Sequence, residues 1–368
     1  MEDVFGFADD LGPAKVIHLF GARSGLKAVV VIDNVAAGPA IGGVRMAPDA
    51  TALEAFRLAR AMSLKSAAVE LPHGGAKSVI MADPKMDPAA KEALMRAFAR
   101  AIRDLTEYIP APDMGTDERC MAFVHDETGR ACGLPREMGG LPLDELGATG
   151  FGLAVSVEEA CQFVDFDLNG ARVAVQGFGA VGRNAARFLA QRGAVLVAVA
   201  DSGGTVSDPG GLNLDGLLAV KDAGGSVATY DGGEHGPVEA ILGVECEIWI
   251  PAARPDVITE KNVQLLKTRL VAQGANIPVT PMAENMLNAV GVSYIPDIIA
   301  NSGGLICAAA EFQGLTEAAA FQMIEEKIRA NTRAVLHKAS RQMVTARQAA
   351  TAMAKARILS AMETKGGM

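Results

Sequence analysis

The sequence predicts an α/β fold in two domains, the second built on a doubly wound parallel sheet. The chain has 368 residues, of which 50% are hydrophobic and 21% charged. At roughly 100–200 residues per domain, this length suggests two sizeable cores. From residue 172 to about 300, short apolar strand patterns alternate with helical ones, which is typical of a parallel sheet. Residues 304–368 are alanine-rich with no strand pattern, so these helices must pack on structure formed earlier.

The first 130 residues alternate strand and helix patterns in a less regular way. We expect two strands around a turn, followed by a glycine-rich connector at the edge of a sheet. Three helices follow, the first opened by a capping box and the second by an Asp-Pro pair. These segments are 15–20, 28–32, 38–45, 51–69, 87–108 and 117–130.

Residues 71–80 place Lys77 behind two glycines and ahead of a β-branched run. Glycine allows close approach of a ligand to the backbone. Burial and a neighbouring positive charge, such as Lys65 twelve residues upstream, would both lower the pKa of Lys77. Taken alone, the stretch fits a turn with an exposed lysine as well as it fits a reactive site.

Asp113 lies between two prolines and a glycine that rule out a regular helix. We expect it on a rigid loop. Its carboxylate could serve chemistry, or it could close an Asx-turn.

Composition excludes several classes of function. The net charge of −9 argues against nucleic acid as the main partner. Five scattered cysteines and five dispersed histidines predict reduced thiols and no metal site. There is no apolar run of membrane-spanning length. The acidic start, residues 1–4, lacks signal-peptide features. We therefore expect a cytoplasmic protein.

A dinucleotide-binding motif follows the first strand of the second domain. The strand at 172–176 leads directly into a GxGxxG turn that opens a helix, and an acid, Asp201, ends the next strand 19 residues later. In this context the glycines permit a tight turn, approach to the pyrophosphate, and close helix packing, while the helix amino terminus attracts phosphate. The predicted cofactor-binding residues in the turn are Gly177, Phe178, Gly179, Ala180, Val181 and Gly182.

Asp201 predicts NAD, because an acid accepts hydrogen bonds from the ribose hydroxyls and repels a 2′-phosphate. Arg183 and Ser202 nearby leave NADP open. We place the substrate and oligomerisation domain at residues 1–145 plus about 310–368, and the Rossmann NAD(P)-binding domain at 146–309.

The motifs, in this order over nearly the whole chain, resemble the Glu/Leu/Phe/Val dehydrogenase family. Segments of the first domain are most similar to the leucine and phenylalanine enzymes, whereas those of the Rossmann domain are more similar to the glutamate enzymes. The matching segments are 38–46, 65–68, 71–77, 110–116, 147–150, 273–280 and 296–304.

The resemblance implies oxidative deamination of an L-amino acid to a 2-oxo acid and ammonia by a homo-oligomer. It makes Lys77 and Asp113 the catalytic pair and Lys65 the ligand of the α-carboxylate. Gly42 and Asn301 would also bind the substrate. Thr149 and Asn276 would bind the nicotinamide end of the cofactor, but Thr149 also fits a helix N-cap, and both asparagines also fit turns.

Two apolar residues separate the family members. Glutamate-specific members carry a lysine at the position of Ile41 and a hydroxyl residue at that of Ala308. A buried substrate carboxylate would be unpaired against Ile41 and Ala308, at a cost of several kcal/mol. We therefore expect an apolar, branched-chain or aromatic, L-amino acid, which would instead gain roughly 1–3 kcal/mol by filling the pocket.

Three other interpretations remain. The first is a glutamate dehydrogenase in which Arg45 or Arg254 holds the side-chain carboxylate. The second is a non-catalytic nucleotide-binding paralogue, and the intact Lys65, Lys77 and Asp113 argue against it. The third is another Rossmann enzyme such as a hydroxyacid dehydrogenase, which would need a catalytic histidine, whereas His73 fits a loop residue.

Overall fold

The computed structural model describes residues 6–365 and has the predicted α/β class; residues 1–4, which entered the signal-peptide argument, lie outside that range. The chain divides into two compact units. Unit 1 contains Met1–Leu143, Leu305–Phe321 and Thr351–Met368, and unit 2 contains Asp144–Gly304 and Gln322–Ala350.

Unit 1 is built on a mixed five-stranded sheet. The strands are β1 (Lys15–Gly21), β2 (Leu26–Asn34), β3 (Ala40–Met46), β4 (Gly74–Ile80) and β5 (Tyr108–Pro112), and the helices between them are α1 (Ala52–Ala68), α2 (Pro88–Ala101) and α3 (Glu118–Thr128). The spatial order is β1-β2-β4-β3-β5. Strand β2 is antiparallel to both of its neighbours, β1 and β4, whereas β3 is parallel to β4 and to β5.

Each face of this sheet carries its own apolar layer, because strand side chains alternate. Val30 and Ile32 point into the larger core with Phe98 of α2. Val29 and Val31 point into a smaller one with residues of α1. The two layers fix α1 on one face and α2 and α3 on the other.

Unit 2 is built on a seven-stranded sheet in the order β12-β11-β10-β6-β7-β8-β9. Its strands are β6 (Arg172–Gln176), β7 (Val195–Asp201), β8 (Gly204–Ser207), β9 (Glu234–Gly236), β10 (Ile248–Pro251), β11 (Leu270–Ala272) and β12 (Ser293–Ile295). The five from β12 to β7 are parallel, and β8 and β9 are antiparallel. Strand order reverses at β6, with β7 on one side and β10 on the other, so ligands are expected at the carboxyl ends here.

The remaining helices complete the two units. They are α4 (Leu143–Leu146), α5 (Ala148–Val164), α6 (Ala180–Ala190), α7 (Leu214–Asp222), α8 (Pro281–Ala289), α9 (Asp297–Ala300), α10 (Gly303–Phe312), α11 (Glu317–Gln342) and α12 (Ala346–Thr364). Within residues 6–365, none of the helices combines the length and apolar character needed to cross a membrane.

The structure differs from the sequence predictions at four places. The helix expected over 87–108 ends at Ala101, and Tyr108 begins the unpredicted strand β5. The glycine-rich segment expected at a sheet edge forms β3, which lies inside the sheet between β4 and β5. The stretch around Lys77 is the buried strand β4 and not a turn. Residues 322–350, expected to return to the first domain with the rest of 310–368, group with unit 2. Helical periodicity alone does not indicate which core a returning helix joins.

Candidate active site

Lys77 lies in the middle of β4, with its side chain on the face that α1 covers. A Cβ added at Gly75, two residues earlier on the same face, would lie 2.0 Å from the backbone nitrogen of Ser63 in α1. The helix can therefore pack this closely only over a glycine. Lys77 itself is 6% exposed. Gly75 thus serves helix–strand contact, and Lys77 is buried on the same face of the strand.

Asp113 directly follows β5 and meets Lys77 through its side chain. Its Oδ2 lies 2.9 Å from Nζ of Lys77 and 2.8 Å from Nε of Arg45. The local turn is closed by Thr116, whose hydroxyl accepts from the Asp113 N–H. The carboxylate is therefore turned towards two cations and does not close an Asx-turn.

The three charges shift one another's ionisation. Burial lowers the pKa of Lys77, and although Asp113 opposes this effect, Arg45 adds to it. Burial would raise the pKa of Asp113, but Lys77 and Arg45 outweigh it and hold that pKa below its usual range. The sequence predicted Lys65 as the second cause for Lys77, whereas Arg45 was not anticipated. Glu54 of α1 binds the other side of Arg45.

Gly43 keeps space open beside this pair. A Cβ at that position would lie 2.8 Å from Cβ of Asp113 and 3.1 Å from Nζ of Lys77. Ile41 precedes Gly43 by two residues, so strand alternation places its side chain on the same face. Ile41 pairs with Gly75 of the neighbouring strand β4, and the residue is 1% exposed.

The other predicted substrate residues of unit 1 are placed less directly. Gly42 points to the opposite face, and its carbonyl accepts from the Tyr108 hydroxyl. Lys65 is half-buried in the last turn of α1. Ala308 is buried within α10. A cavity of about 520 Å³ in this unit lies elsewhere, at residues 8–15 and the end of β2, and none of these residues lines it.

In unit 2 the GxGxxG turn joins β6 to α6 as predicted. Gly177 has a φ of +94°, and a Cβ at Gly182 would lie 1.9 Å from the Gly177 carbonyl oxygen. Gly179 is the N-cap of α6, with no side-chain cap and no atom within 4 Å of an added Cβ. Phe178 is buried, whereas Ala180 and Val181 form the first turn of α6. The open helix end fits a pyrophosphate.

Asp201 ends β7 but is already saturated by neighbours within unit 2. It accepts from Lys221 at 2.7 Å, Ser226 at 2.5 Å, and the backbone N–H groups of Val227 and Gly203 at 2.9 Å. Burial opposes its ionisation, but these donors hold its pKa at about 2. The charge that was expected to repel a 2′-phosphate is thus paired with Lys221, which the motif did not reveal.

Asn276 and Asn301 meet at the carboxyl ends of β11 and β12. The Asn301 amide donates to Oδ1 of Asn276 at 2.9 Å and to the Gly274 carbonyl at 3.2 Å. Its own Oδ1 is buried and accepts no hydrogen bond from the described residues. Thr149 lies in the first turn of α5, and the N-cap is Gly147, so the N-cap alternative for Thr149 is wrong.

The described residues contain no cluster of three or more His, Cys, Asp or Glu side chains placed to bind a metal ion. All five cysteines are buried and unpaired. Burial raises the pKa of Cys120 to about 11 and of Cys307 to about 12, so neither has the thiolate character of a reactive cysteine.

Two family models match the chain. "Glutamate/Leucine/Phenylalanine/Valine dehydrogenase" covers residues 139–366, and "Glu/Leu/Phe/Val dehydrogenase, dimerisation domain" covers residues 16–130. The chain belongs to the Glu/Leu/Phe/Val dehydrogenase family. It is therefore an amino acid dehydrogenase, an oxidoreductase that acts on CH–NH₂ donors with NAD or NADP.

Relatives from archaea carry glutamate in their names. The chain is 36% identical to a glutamate dehydrogenase of Aeropyrum pernix over 90% of its own length and 85% of the relative's. It is 35% identical to an NADP(+)-dependent glutamate dehydrogenase of Pyrobaculum calidifontis, covering 91% and 86%. It is 36% identical to the NAD-specific glutamate dehydrogenase A of Halobacterium salinarum, covering 89% and 80%.

Solved structures of this dehydrogenase family share the fold. A hetero-hexameric glutamate dehydrogenase from Thermus thermophilus, in a leucine-bound form, matches with a TM-score of 0.85 and 30% identity, covering 97% of this chain and 91% of that one. An L-tryptophan dehydrogenase from Nostoc punctiforme matches with a TM-score of 0.76 and 26% identity, covering 95% and 97%. These matches confirm the predicted fold class. The names as a group favour glutamate over the apolar substrate that Ile41 and Ala308 predict.

Proposed function

We propose that this amino acid dehydrogenase deaminates its substrate reversibly to a 2-oxo acid and ammonia, with Lys77 and Asp113 as the proton-transfer pair. The contact that carries the proposal is the buried Lys77–Asp113 pair, 2.9 Å apart, beside the space left by Gly43. A lysine with a lowered pKa can be neutral at working pH and accept a proton.

The two lysines, Lys65 and Lys77, would have different tasks. Lys65 would hold the α-carboxylate as a point charge. Lys77 would take a proton from the α-ammonium group or from water. Bound NAD(P) would accept the hydride from Cα. A water held by Lys77 would then add to the iminium carbon and pass a proton to Asp113, which would hand that proton to the nitrogen. The C–N bond would then break as the carbinol hydroxyl gives its proton to the departing ammonia, which leaves the 2-oxo acid and returns Asp113 to its carboxylate form.

For the cofactor, the described residues fit a pyrophosphate at the open start of α6. The Asp201–Lys221 pair leaves the choice between NAD and NADP balanced, because the lysine offsets the acid that would repel a 2′-phosphate. We propose that Lys221 is what permits NADP. Lys221→Met should lower kcat/KM for NADP about tenfold or more relative to NAD, since a charge-assisted hydrogen bond from the lysine to the 2′-phosphate is lost. An unchanged ratio would reject this role.

Glutamate is the first candidate substrate, because it is named in all three relatives above. Of the two arginines suggested for its side-chain carboxylate, Arg45 is occupied by Asp113 and Glu54. Arg254 is exposed in unit 2. A reaction with glutamate would therefore need a cation other than Arg45 and Arg254 to bind the side-chain carboxylate.

An apolar amino acid is the second candidate, supported by Ile41 and Ala308. Ile41 is buried on the face of Lys77, and Ala308 is also buried. Neither can pair with a carboxylate, and burial of an unpaired carboxylate is costly. The tryptophan enzyme shows that the matched fold also serves an apolar substrate.

A kinetic panel decides between them. Initial rates with L-glutamate, L-leucine, L-valine, L-phenylalanine and L-tryptophan are measured with NAD and with NADP. The highest kcat/KM on glutamate would reject the apolar candidate, and the highest on an apolar amino acid would reject glutamate. No turnover of any of them would favour a non-catalytic nucleotide-binding protein.

We further propose that the chain forms a homo-oligomer. The matched amino-terminal model is described as a dimerisation domain. The outer strand β1 exposes Val16 and, at 74%, Phe20, and both would be covered if this edge of the sheet lies in the interface. Light scattering tests this proposal, and a monomer at micromolar concentration would reject it. Cell fractionation tests the predicted cytoplasmic location.

A further inference from the structure

Ile277, next to Asn276, has a backbone conformation that its side chain disfavours. Its φ is +44°, in the left-handed region, where a β-branched residue is a genuine outlier. The side chain is not held in a core, since it is 51% exposed. Such a conformation persists only when surrounding contacts impose it, and it is concentrated at functional sites.

Two hydrogen bonds hold the Ile277 backbone: its carbonyl accepts the Asp256 N–H at 3.0 Å, and its own N–H donates to Asp297. Oδ2 of Asp297 accepts the Ile277 N–H at 2.8 Å. Asp297 also begins the helical turn that ends at Asn301, whose N–H donates to the Asp297 carbonyl at 3.1 Å. One aspartate therefore connects the two segments that carry Asn276 and Asn301.

Asp297 is in turn held by Arg347, which lies 50 residues later in the chain and in the same unit. Nη1 of Arg347 is 2.8 Å from Oδ1 of Asp297. Its Nη2 donates to Gln273 at 2.8 Å, and its Nε to Glu284 at 2.7 Å. Gln273 also accepts the Asp297 N–H at 3.2 Å. The planar guanidinium thus donates hydrogen bonds to Gln273 and Glu284 while it forms an ion pair with Asp297, whereas an ammonium is a point charge.

We propose that Arg347 is a positioning residue, which acts through Asp297 to hold two groups in place: the Asn276–Ile277 turn, where Asn276 would receive the nicotinamide end of the cofactor, and Asn301, which would bind the substrate. This rests on the proposed dehydrogenase reaction and on the roles that the family resemblance implies for the two asparagines. Arg347 holds Asp297, and Asp297 holds the strained turn at Ile277. Loss of the guanidinium therefore releases the turn, even though Arg347 touches neither asparagine.

The test compares Arg347→Lys and Asp297→Asn with Arg329→Lys. Arg329 is a matched control, because its side chain is 27% exposed against 23% for Arg347 and pairs with Glu158 and Glu325 elsewhere in unit 2. Hydrogen exchange of the cofactor-free protein reports on the Ile277 amide. Fluorescence titration with NADH gives the cofactor Kd, and kcat is measured on the best amino acid.

We expect the first two variants to exchange the Ile277 amide faster, to bind NADH about tenfold to a hundredfold more weakly, and to lose kcat to a similar degree, as small displacements do. The control should change none of these. Asp297→Asn keeps the shape of the side chain, so it still tests the inference if Arg347→Lys does not fold. Two results would overturn the inference, provided that the wild type turns over. One is an Ile277 amide that exchanges no faster in the variants than in the wild type. The other is faster exchange in the variants with NADH binding and kcat unchanged. A wild type without turnover would instead reject the proposed function, and the exchange experiment would still test the network.

Discussion

Oδ2 of Asp113 lies within 3 Å of both Nζ of Lys77 and Nε of Arg45. One oxygen thus serves two cations on adjacent parallel strands. Both pKa values are lowered: the two cations stabilise the carboxylate of Asp113, while burial and Arg45 favour the neutral amine of Lys77. In the proposed reaction Lys77 is therefore the group suited to accept the first proton.

Replacement of either partner should remove catalysis but not the fold. Lys77→Ala and Asp113→Asn are each expected to lower kcat by about 10²–10⁴-fold, the usual contribution of a positioned acid or base. NADH binding, measured by fluorescence, should persist. Lys27→Ala, an exposed lysine of β2, serves as the control and should keep full activity. A Lys77→Ala enzyme with near wild-type kcat would contradict the assignment.

Removal of Arg45 should move the pH profile. Arg45 lowers the pKa of Lys77, so Arg45→Gln raises that pKa, and a higher pH is needed to form the neutral amine. The acid limb of the kcat/KM profile should therefore shift to higher pH. Arg100→Gln, a more exposed arginine of α2, should leave the profile in place. The idea fails if both variants give the same acid limb as the wild type.

The substrate preference should respond to position 41. Ile41→Lys combined with Ala308→Ser supplies a cation and a hydroxyl where a side-chain carboxylate would otherwise be unpaired. The ratio of kcat/KM for glutamate over leucine should rise roughly tenfold to hundredfold, given the worth of hydrogen bonds to charged groups. Ile41→Leu is the size-matched control. If the double variant loses activity on glutamate and leucine equally, the two positions do not select the substrate.

Asp201 should stabilise the fold in a pH-dependent way. Its pKa of about 2 in the folded protein lies below the ordinary value near 3.9, so its contribution is present above about pH 4 and is lost as the pH falls towards 2. Asp201→Asn should cost about 2 kcal/mol at neutral pH.

The gap in melting temperature between wild type and Asp201→Asn should narrow from pH 4 downwards. Asp222→Asn, an exposed acid at the end of α7, is the control and should melt like the wild type at each pH. A gap that stays constant down to pH 2 would show that the ionised form is not the stabilising one.

The sequence was most informative where local spacing determines structure. The turn at 177–182 and its flanking strands were predicted because the motif, the strand and the helix are contiguous in the chain. The same holds for Lys77 and Asp113, which lie in long local signatures. The structure brings the two side chains into contact, while their roles stay predictions.

The charged partners of Asp113, Asp201 and Asp297 were missed because they are distant in the chain. Arg45 is 68 residues from Asp113, and Lys221 is 20 residues from Asp201. Arg347 is 50 residues from Asp297, in a helix whose alanine-rich pattern reveals only that it is buried. Which side chains meet across such separations is decided by packing, which a single sequence does not show.

The absence of a side chain at Gly43 has a consequence for how this protein can evolve. Alanine at that position would keep β3 in its ladder, yet its methyl group would reach into the space beside Lys77 and Asp113. A single-base change could thus yield a chain that folds and retains its nucleotide-binding unit while the proposed proton transfer is blocked. A nucleotide-binding protein without turnover could arise from this enzyme by one methyl group, with all its charged residues intact.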